Sequence, residues 1–252
     1  MNVKKKTLVL SLPMIEKEWK NCTRCQIGKH VRNHVFLDTI PNQEISIATR
    51  ADIVLIGDGP GMVEDVEGIP FTGPSGKLLR QAIDDADYNC KYCEGTGYDE
   101  KEGVACPYCT GNGGIRIALT NLLACRPYEA KKAAPKNRPP TQIEVLNCMP
   151  RLIAMLKQLN PATILMMGNE AQSYVSVVRE ELVKVGRTNT EFVSIKHPDH
   201  LFKQNALNYD SLLYKQYTDQ IAHYFEHFFN ANRLDSMQKE GARAGKPRPK
   251  RN

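Results

Sequence analysis

Cysteine is the residue type in this chain whose spacing points most directly to chemistry. The chain contains eight cysteines, and six of them form three C-x-x-C pairs. A C-x-x-C turn brings two sulfurs close enough together to bind one metal ion. A short apolar run near the start is ended by Pro13 and the charges after it, well before the length of a signal peptide or membrane helix. We therefore expect an intracellular protein whose cysteines bind metal instead of forming disulfides.

One set of four cysteines lies within residues 88–114, where two C-x-x-C-x-G-x-G units follow each other. The glycines leave backbone N–H groups free to approach sulfur, and the geometry suits tetrahedral zinc. The predicted zinc ligands are Cys90, Cys93, Cys106 and Cys109. Because so short a segment has too little core to fold alone, metal binding would supply its folding energy. We interpret it as a structural zinc knuckle, and the alternative is a knuckle that contacts DNA or a partner protein.

The other four cysteines are dispersed along the chain, as one C-x-x-C pair near the start and two single residues far downstream. They are Cys22, Cys25, Cys125 and Cys148. Four thiolates gathered from three distant segments can hold either a zinc ion or a 4Fe-4S cluster, and their spacing alone does not choose between the two.

A glycine-rich segment at residues 57–76 carries a second candidate site. It begins GDGPG, continues with the acidic pair Glu64 and Asp65, and ends PFTGPSG. A dinucleotide-binding loop is excluded because Met62 stands where the third glycine would be needed. A Walker loop is excluded because no Gly-Lys-Ser/Thr sequence follows.

Alternating strands and helices must position these residues. Short apolar runs predict buried parallel strands at residues 51–57, 115–123 and 163–168. Helical patterns are predicted at residues 75–86 and 141–159, the second with an apolar face of Ile143, Leu146, Met149, Ile153 and Leu156. Strands that alternate with helices indicate a parallel sheet. Ligands bind beyond the carboxyl ends of such strands, so chemistry is expected first in the loop after Gly57.

Length, composition and net charge limit the number of domains, the class of protein and the type of partner. A chain of 252 residues suits one α/β domain with an insertion, and its 41% hydrophobic and 25% charged residues are ordinary for a globular protein. A net charge of +6 favours a polyanionic partner such as nucleic acid. We expect a soluble, cytoplasmic monomer that does not associate with membranes.

The C-terminal segment, residues 231–252, carries seven Lys and Arg against two acidic residues, with few apolar side chains. We expect it to be a disordered basic tail. Residues 1–230 are then the folded domain, with residues 88–114 inserted in it.

Several motifs resemble, in order, the family 4 (iron-sulfur) uracil-DNA glycosylases. They are the loop at residues 57–76, TNLLACRP at 120–127, NRPP at 137–140, the strand and glycine within 161–171, and KHP at 196–198. The similarity covers most of residues 20–225. The knuckle separately resembles half of the cysteine-rich zinc region of the DnaJ chaperones, over about 24 residues.

The resemblance implies a three-layer α/β/α sandwich with a central, mostly parallel sheet. It also implies that the dispersed cysteines hold a 4Fe-4S cluster, and that the chain removes uracil from DNA in base excision repair, leaving an abasic site. A non-catalytic or modified-base-specific DNA-binding relative with the same fold and cluster is the alternative. Asp58 stands where the family usually has glutamate, and a side chain one methylene shorter puts a water or base contact in doubt.

Roles for the site residues follow from the chemistry of the flipped base. Phe71 is expected to stack on uracil, and Asn121 to pair with its O4 and N3–H. His197 is expected to donate to O2, assisted by backbone N–H groups of the loop that contains Gly57 and Gly59. The acidic residues Asp58, Glu64 and Asp65 would position water, offset positive charge on the sugar or exclude thymine, without individual assignments.

Overall fold

The computed structural model describes residues 11–41, 49–129, 135–204 and 209–244. In chain order, the elements are α1 (Leu12–Trp19), β1 (Asp38–Ile40), β2 (Ile53–Gly57), α2 (Met62–Glu67), α3 (Pro74–Asp85), β3 (Tyr98–Asp99), β4 (Val104–Ala105), β5 (Ile117–Asn121), α4 (Gln142–Leu159), β6 (Thr163–Met167), α5 (Gly168–Ser173), α6 (Val175–Lys184), β7 (Glu191–Ile195), α7 (Asp199–Lys203) and α8 (Leu212–Ala244). Within those ranges, no helix is both long and apolar enough to cross a bilayer.

The chain divides into two compact units. The first comprises residues 1–80 and 116–207, and the second comprises residues 81–115 and 208–252. The predicted insertion, residues 88–114, lies within the second unit. The predicted strands and most of the glycine-rich segment lie within the first.

The first unit is built on a five-stranded sheet in the order β1-β5-β2-β6-β7. β5, β2, β6 and β7 run parallel to one another, and only the edge strand β1 is antiparallel. Every residue of β2, β5 and β6 is buried, as continuous apolar runs predict for central parallel strands. The α/β class and the mostly parallel sheet are therefore confirmed.

Helices α1, α4 and α6 supply the apolar core on the sheet of the first unit. The predicted α4 is confirmed, but Ile143 and Leu146 are exposed, so their place on its apolar face was wrong. The buried stripe is shifted along the helix and runs through Val145, Met149, Leu152 and Leu156. These four positions keep the helical spacing, which shows that two apolar residues of the first turns were attributed to the wrong face.

The second unit contains the knuckle, with its short β3-β4 hairpin, and helix α8. The helix continues through Ala244, so the prediction of disorder from residue 231 was wrong as far as residue 244. Residues 231–244 contain no proline and are mostly good helix formers, which explains why α8 extends. Asn232 Nδ2 also donates to Tyr108 O at 3.1 Å, and the Arg233 guanidinium lies over the Tyr108 ring. The rest of the predicted tail, residues 245–252, lies outside the described residues.

Candidate active site and cysteine clusters

A cleft of about 560 Å³ opens at the carboxyl ends of the parallel strands of the first unit. Asp58 follows β2, Asn121 ends β5 and His197 follows β7, and all three line the cleft. Strand order reverses at β2, which is where ligands bind in sheets of this type. The structure thus brings together residues that are far apart in the sequence.

Asn121 lies beside Gly57, its partner in the parallel pairing of β5 with β2. A Cβ atom at Gly57 would lie 2.6 Å from Asn121 Oδ1 and 2.8 Å from Phe71 Cζ. Glycine is therefore required there, because any larger residue would displace both the amide and the ring. Among the described residues, none hydrogen-bonds to the Asn121 side-chain amide, which lines the cleft. Its donor and acceptor are thus available to a ligand.

Phe71 has a left-handed backbone, with φ of 57°, and its side chain is buried. A non-glycine residue in this conformation needs support from its surroundings. Arg80 provides it, since its guanidinium donates to the carbonyls of Pro70 and Phe71 at 2.8 and 2.9 Å and is paired with Asp38 at 2.6 Å. Arg80 was not predicted as a site residue, because its helical segment contains no motif.

Glu64 holds the glycine-rich segment together. Its carboxylate accepts hydrogen bonds from Gly61 N at 3.0 Å and from Gly73 N at 2.8 Å, one through each oxygen. The side chain is buried and lines the cleft. Because each oxygen accepts from a backbone N–H group, Glu64 ties the two ends of the segment together at the cleft wall.

Asp65, predicted as a catalytic candidate, is not among the described residues that line the cleft. Its Oδ1 accepts from Arg32 N at 3.0 Å, and its backbone oxygen accepts from Asn33 Nδ2 at 3.0 Å. The residue points away from Glu64 because neighbouring positions at the start of a helix face different directions. The geometry gives it a structural role, joining α2 to the segment before β1.

Asp58 does line the cleft, and its Oδ1 accepts a hydrogen bond from Ala171 N at 3.0 Å, in the first turn of α5. Gly59 packs on Pro127, whose Cδ would lie 3.2 Å from a Cβ at this position. Glu170, on the same short helix, also lines the cleft and was not predicted.

The hydrogen bonding of His197 fixes its tautomer. Its Nδ1 accepts from Asp199 N at 3.1 Å, so in the neutral ring the proton lies on Nε2. Gly168 allows the ring to approach the end of β6, since a Cβ there would lie 2.9 Å from His197 Cβ. Ser75 Oγ donates to Asp199 Oδ1 at 3.3 Å and links α3 to this loop. With Nδ1 as acceptor, Nε2–H is the donor atom of this cleft-lining imidazole.

Arg138 lines another side of the cleft and forms a two-bond ion pair with Glu144, at 2.9 and 2.5 Å. Burial alone would raise the pKa of Glu144, but Arg138 and the backbone and hydroxyl of Thr141 outweigh it and lower that pKa. Thr141 and Glu144 also form the capping box of α4. This pair therefore fixes the start of α4 relative to the cleft wall.

Arg151 supports the base of the site from within the core and is fully buried. Its Nη2 donates to the backbone oxygens of Asn121 and Leu122 at 2.6 and 2.9 Å. Arg151 was not predicted as a site residue, although a charged residue among the apolar residues of α4 is a sequence feature that indicates a buried polar role.

The compact cysteine set is brought together as predicted. The sulfurs of Cys90, Cys93, Cys106 and Cys109 all lie within 4.8 Å of one another, and the four side chains are buried. Gly97 N and Gly113 N each donate to a cysteine sulfur at 3.3 Å. Burial raises the pKa of Cys93, but the Gly97 N–H and the neighbouring thiols outweigh it and lower that pKa to about 7. This arrangement is compatible with metal binding.

The dispersed set, Cys22, Cys25, Cys125 and Cys148, surrounds one apolar cavity in the first unit. Burial, and then the neighbouring thiols, raise the pKa of Cys125. Backbone donors are also present, since Ala124 N donates to Cys148 Sγ at 3.4 Å. A cavity lined by four cysteines is compatible with a metal or iron-sulfur centre.

Comparison with known proteins gives a consistent result. The sequence model of the uracil DNA glycosylase superfamily matches residues 46–223. The type-4 uracil-DNA glycosylase of Saccharolobus solfataricus is 26% identical over 215 residues, which are 85% of this chain and 78% of that protein. That of Archaeoglobus fulgidus is 29% identical over 66% of this chain and 63% of its own length. That of Thermotoga maritima is 25% identical over 77% of this chain and 85% of its own length.

Proposed function

The chain belongs to the uracil-DNA glycosylase superfamily, and on this premise we propose that it hydrolyses the N-glycosidic bond of uracil in DNA and leaves an abasic site. The type-4 names of its relatives support uracil as the base. DNA is then the main partner, in agreement with the net charge of +6.

One observation carries the proposal: the three side chains suited to read and release uracil meet in a single cleft. Phe71, Asn121 and His197 come from three separate segments and line the same cavity. A base must leave the duplex to reach such a cavity, at a cost of a few kcal/mol of unstacking. Stacking on an aromatic ring recovers about 1 to 3 kcal/mol.

Asn121 provides the discrimination. Its amide offers one donor and one acceptor, which pair with O4 and N3–H of uracil and meet the amino group and N3 of cytosine with the wrong polarity. The amide is held by the Arg151 contacts to the backbone and by the close packing of Gly57. A recognition group fixed in this way loses little entropy when the base binds.

His197 and Asp58 serve the bond-breaking step. Negative charge develops on the uracil ring as the bond breaks, and the Nε2–H of His197 donates to O2 where that charge accumulates. The carboxylate of Asp58 offsets positive charge on the sugar or orients the attacking water. Glu64 is assigned to loop positioning, because its oxygens already accept from Gly61 N and Gly73 N.

Two metal centres belong to the proposal. We assign a 4Fe-4S cluster to the dispersed cysteines, as the family resemblance implies and as their common cavity permits. We assign a structural zinc ion to the compact set, whose sulfurs all lie within 4.8 Å of one another. In both centres, backbone N–H groups of this chain stabilise the thiolate form of the ligands. The cluster supplies a rigid link among three chain segments, and no step of the hydrolysis requires it.

The proposal is tested with purified protein and oligonucleotides that contain uracil, hypoxanthine or only normal bases, followed by alkaline cleavage of abasic sites. We expect cleavage of the uracil substrate alone. Cleavage of the hypoxanthine substrate would instead favour the modified-base alternative. DNA binding without cleavage of any substrate would overturn the enzymatic proposal in favour of a non-catalytic relative.

A further inference from the structure

Arg151 is a buried cation whose balancing anion is not a carboxylate. The residue is fully buried in α4, and its Nε atom has no hydrogen-bond partner. Its other bonds go to neutral groups, namely the backbone oxygens of Asn121 and Leu122, the hydroxyl of Thr120 and the sulfur of Met155. Among the described residues, none pairs a carboxylate with it. A buried charge without an opposing charge costs several kcal/mol, so a nearby negative group is required.

The dispersed cysteines adjoin Arg151 along the chain and can supply this charge. Cys148 lies three residues before Arg151 in α4, so the two side chains lie on the same face of the helix. Leu122, whose carbonyl Arg151 binds, lies three residues before Cys125. Helix α4 therefore carries both Arg151 and Cys148, and the loop after β5 contains both Leu122, whose carbonyl Arg151 binds, and Cys125.

We propose that Arg151 is the counter-ion of the iron-sulfur cluster and a positioning residue that joins the cluster to Asn121. The inference rests on the 4Fe-4S centre assigned in the proposed function. A 4Fe-4S cluster with four thiolate ligands carries a net negative charge, which a buried guanidinium offsets in a low-dielectric core. The same guanidinium holds the end of β5, so one side chain serves the cluster and the base-reading amide.

The charge role is tested by the reduction potential of the cluster, measured by protein-film voltammetry on the iron-loaded protein. Removing a nearby positive charge makes reduction harder, so Arg151→Met and Arg151→Gln are expected to shift the potential to more negative values. Arg151→Lys keeps the charge and is expected to stay close to the unmodified protein. Gln retains amide donors for the carbonyls, so it reports the charge effect even if the Met variant does not fold.

The positioning role is tested by turnover. In Arg151→Lys, an ammonium group replaces the planar guanidinium that binds the carbonyls of Asn121 and Leu122. Asn121 is then held less precisely, so kcat is expected to fall by about 10- to 100-fold. Affinity for uracil-free duplex is expected to be unchanged, because the phosphate contacts do not involve this residue. Arg80→Met serves as a matched control, since it disturbs Phe71 and should lower kcat without moving the potential.

Failure of this inference is distinguishable from failure of the cofactor assignment. Iron-loaded protein whose potential is the same in the unmodified, Met and Gln forms would overturn the counter-ion role alone. Unchanged kcat in all three variants would overturn the positioning role. Anaerobically prepared protein that contains no iron would overturn both the cluster and this inference.

Discussion

At the scale of single residues, backbone groups decide which atoms of the site can act. The N–H of Asp199 makes Nδ1 of His197 an acceptor and leaves Nε2 as the donor. Two backbone N–H groups each bind one oxygen of Glu64 and fix the orientation of its carboxylate. Main-chain atoms therefore assign roles that side-chain types alone leave open.

Asn121 is expected to control both activity and base choice. Asn121→Ala removes two hydrogen bonds to uracil, each of about 1 to 1.5 kcal/mol, so excision should fall by about 100-fold while DNA binding persists. Asn121→Asp should weaken uracil excision and introduce weak cytosine excision, because a protonated carboxyl presents the complementary pattern. Single-turnover assays on uracil and cytosine oligonucleotides measure both effects. Uracil excision at the normal rate in Asn121→Ala would remove this residue from the site.

His197 is expected to act on the chemical step more than on binding. Loss of a donor to developing negative charge typically costs about 100- to 1000-fold in kcat, so His197→Ala should show that loss with a small change in KM. The exposed His223 on α8 gives a matched control, and His223→Ala should behave like the unmodified enzyme. Steady-state kinetics separate the two parameters, and a rise in KM alone would contradict the assignment.

At the scale of elements, the start of α4 carries a pH-dependent stabilisation. The pKa of Glu144 is lowered from its ordinary value of 4.5, chiefly by Arg138 and Thr141 acting against burial. Its contribution to stability is therefore fully present above that ordinary value and is lost as pH falls through the lowered folded value. As pH falls, the carboxylate of the unfolded chain is protonated at a higher pH than that of the folded protein, and this protonation favours the unfolded state.

Glu144→Gln should lower the free energy of unfolding at pH 7, and the difference from the unmodified protein should shrink toward zero in acid. Urea unfolding at several pH values measures this convergence. Glu181→Gln is the control, because Glu181 forms an exposed pair with Lys184 on α6 and such pairs contribute little. A Glu144→Gln difference that does not change with pH would show that the effect is not electrostatic.

The two metal centres are expected to be separable. The purified protein should be brown, with broad absorbance near 400 nm and about four irons and one zinc per chain. Cys125→Ser should lose iron and retain zinc, whereas Cys106→Ser should lose zinc and retain iron, so each variant is the control for the other. Metal analysis giving two zincs and no iron in anaerobically prepared protein would refute the cluster.

Much of the fold could be predicted from sequence, and the limits have physical causes. The central strands are continuous apolar runs, so β2, β5 and β6 were found. β7 is mostly exposed or half-buried and β1 has three residues, so neither produces such a run. Motif order identified the cleft residues Phe71, Asn121 and His197. Motif order did not show that Glu64 lines the cleft and Asp65 does not, because the two adjacent acidic residues differ only in which side of α2 they lie on.

At the scale of the whole molecule, the basic C-terminus is expected to contribute affinity without specificity. Residues 245–252 contain four Lys and Arg, no acidic residue and no aromatic residue that would stack on a base. Their deletion should lower the slope of log affinity against log salt by about 3 to 4 units if all four charges engage phosphates. This truncation leaves the contacts of Asn232 and Arg233 with Tyr108 intact. An unchanged salt slope would show that the segment does not touch DNA.

The bridge that Glu64 makes between Gly61 and Gly73 determines which molecule must deform during recognition. The two ends of the glycine-rich segment are already joined in the free protein, so we expect this part of the pocket to change little when DNA binds. The main deformation is then in the DNA, where exposing the uracil costs a few kcal/mol of lost stacking and pairing. Uracil in single strands or in mismatches should consequently be excised faster than uracil in well-paired duplexes, because less stacking and pairing must be broken to expose it.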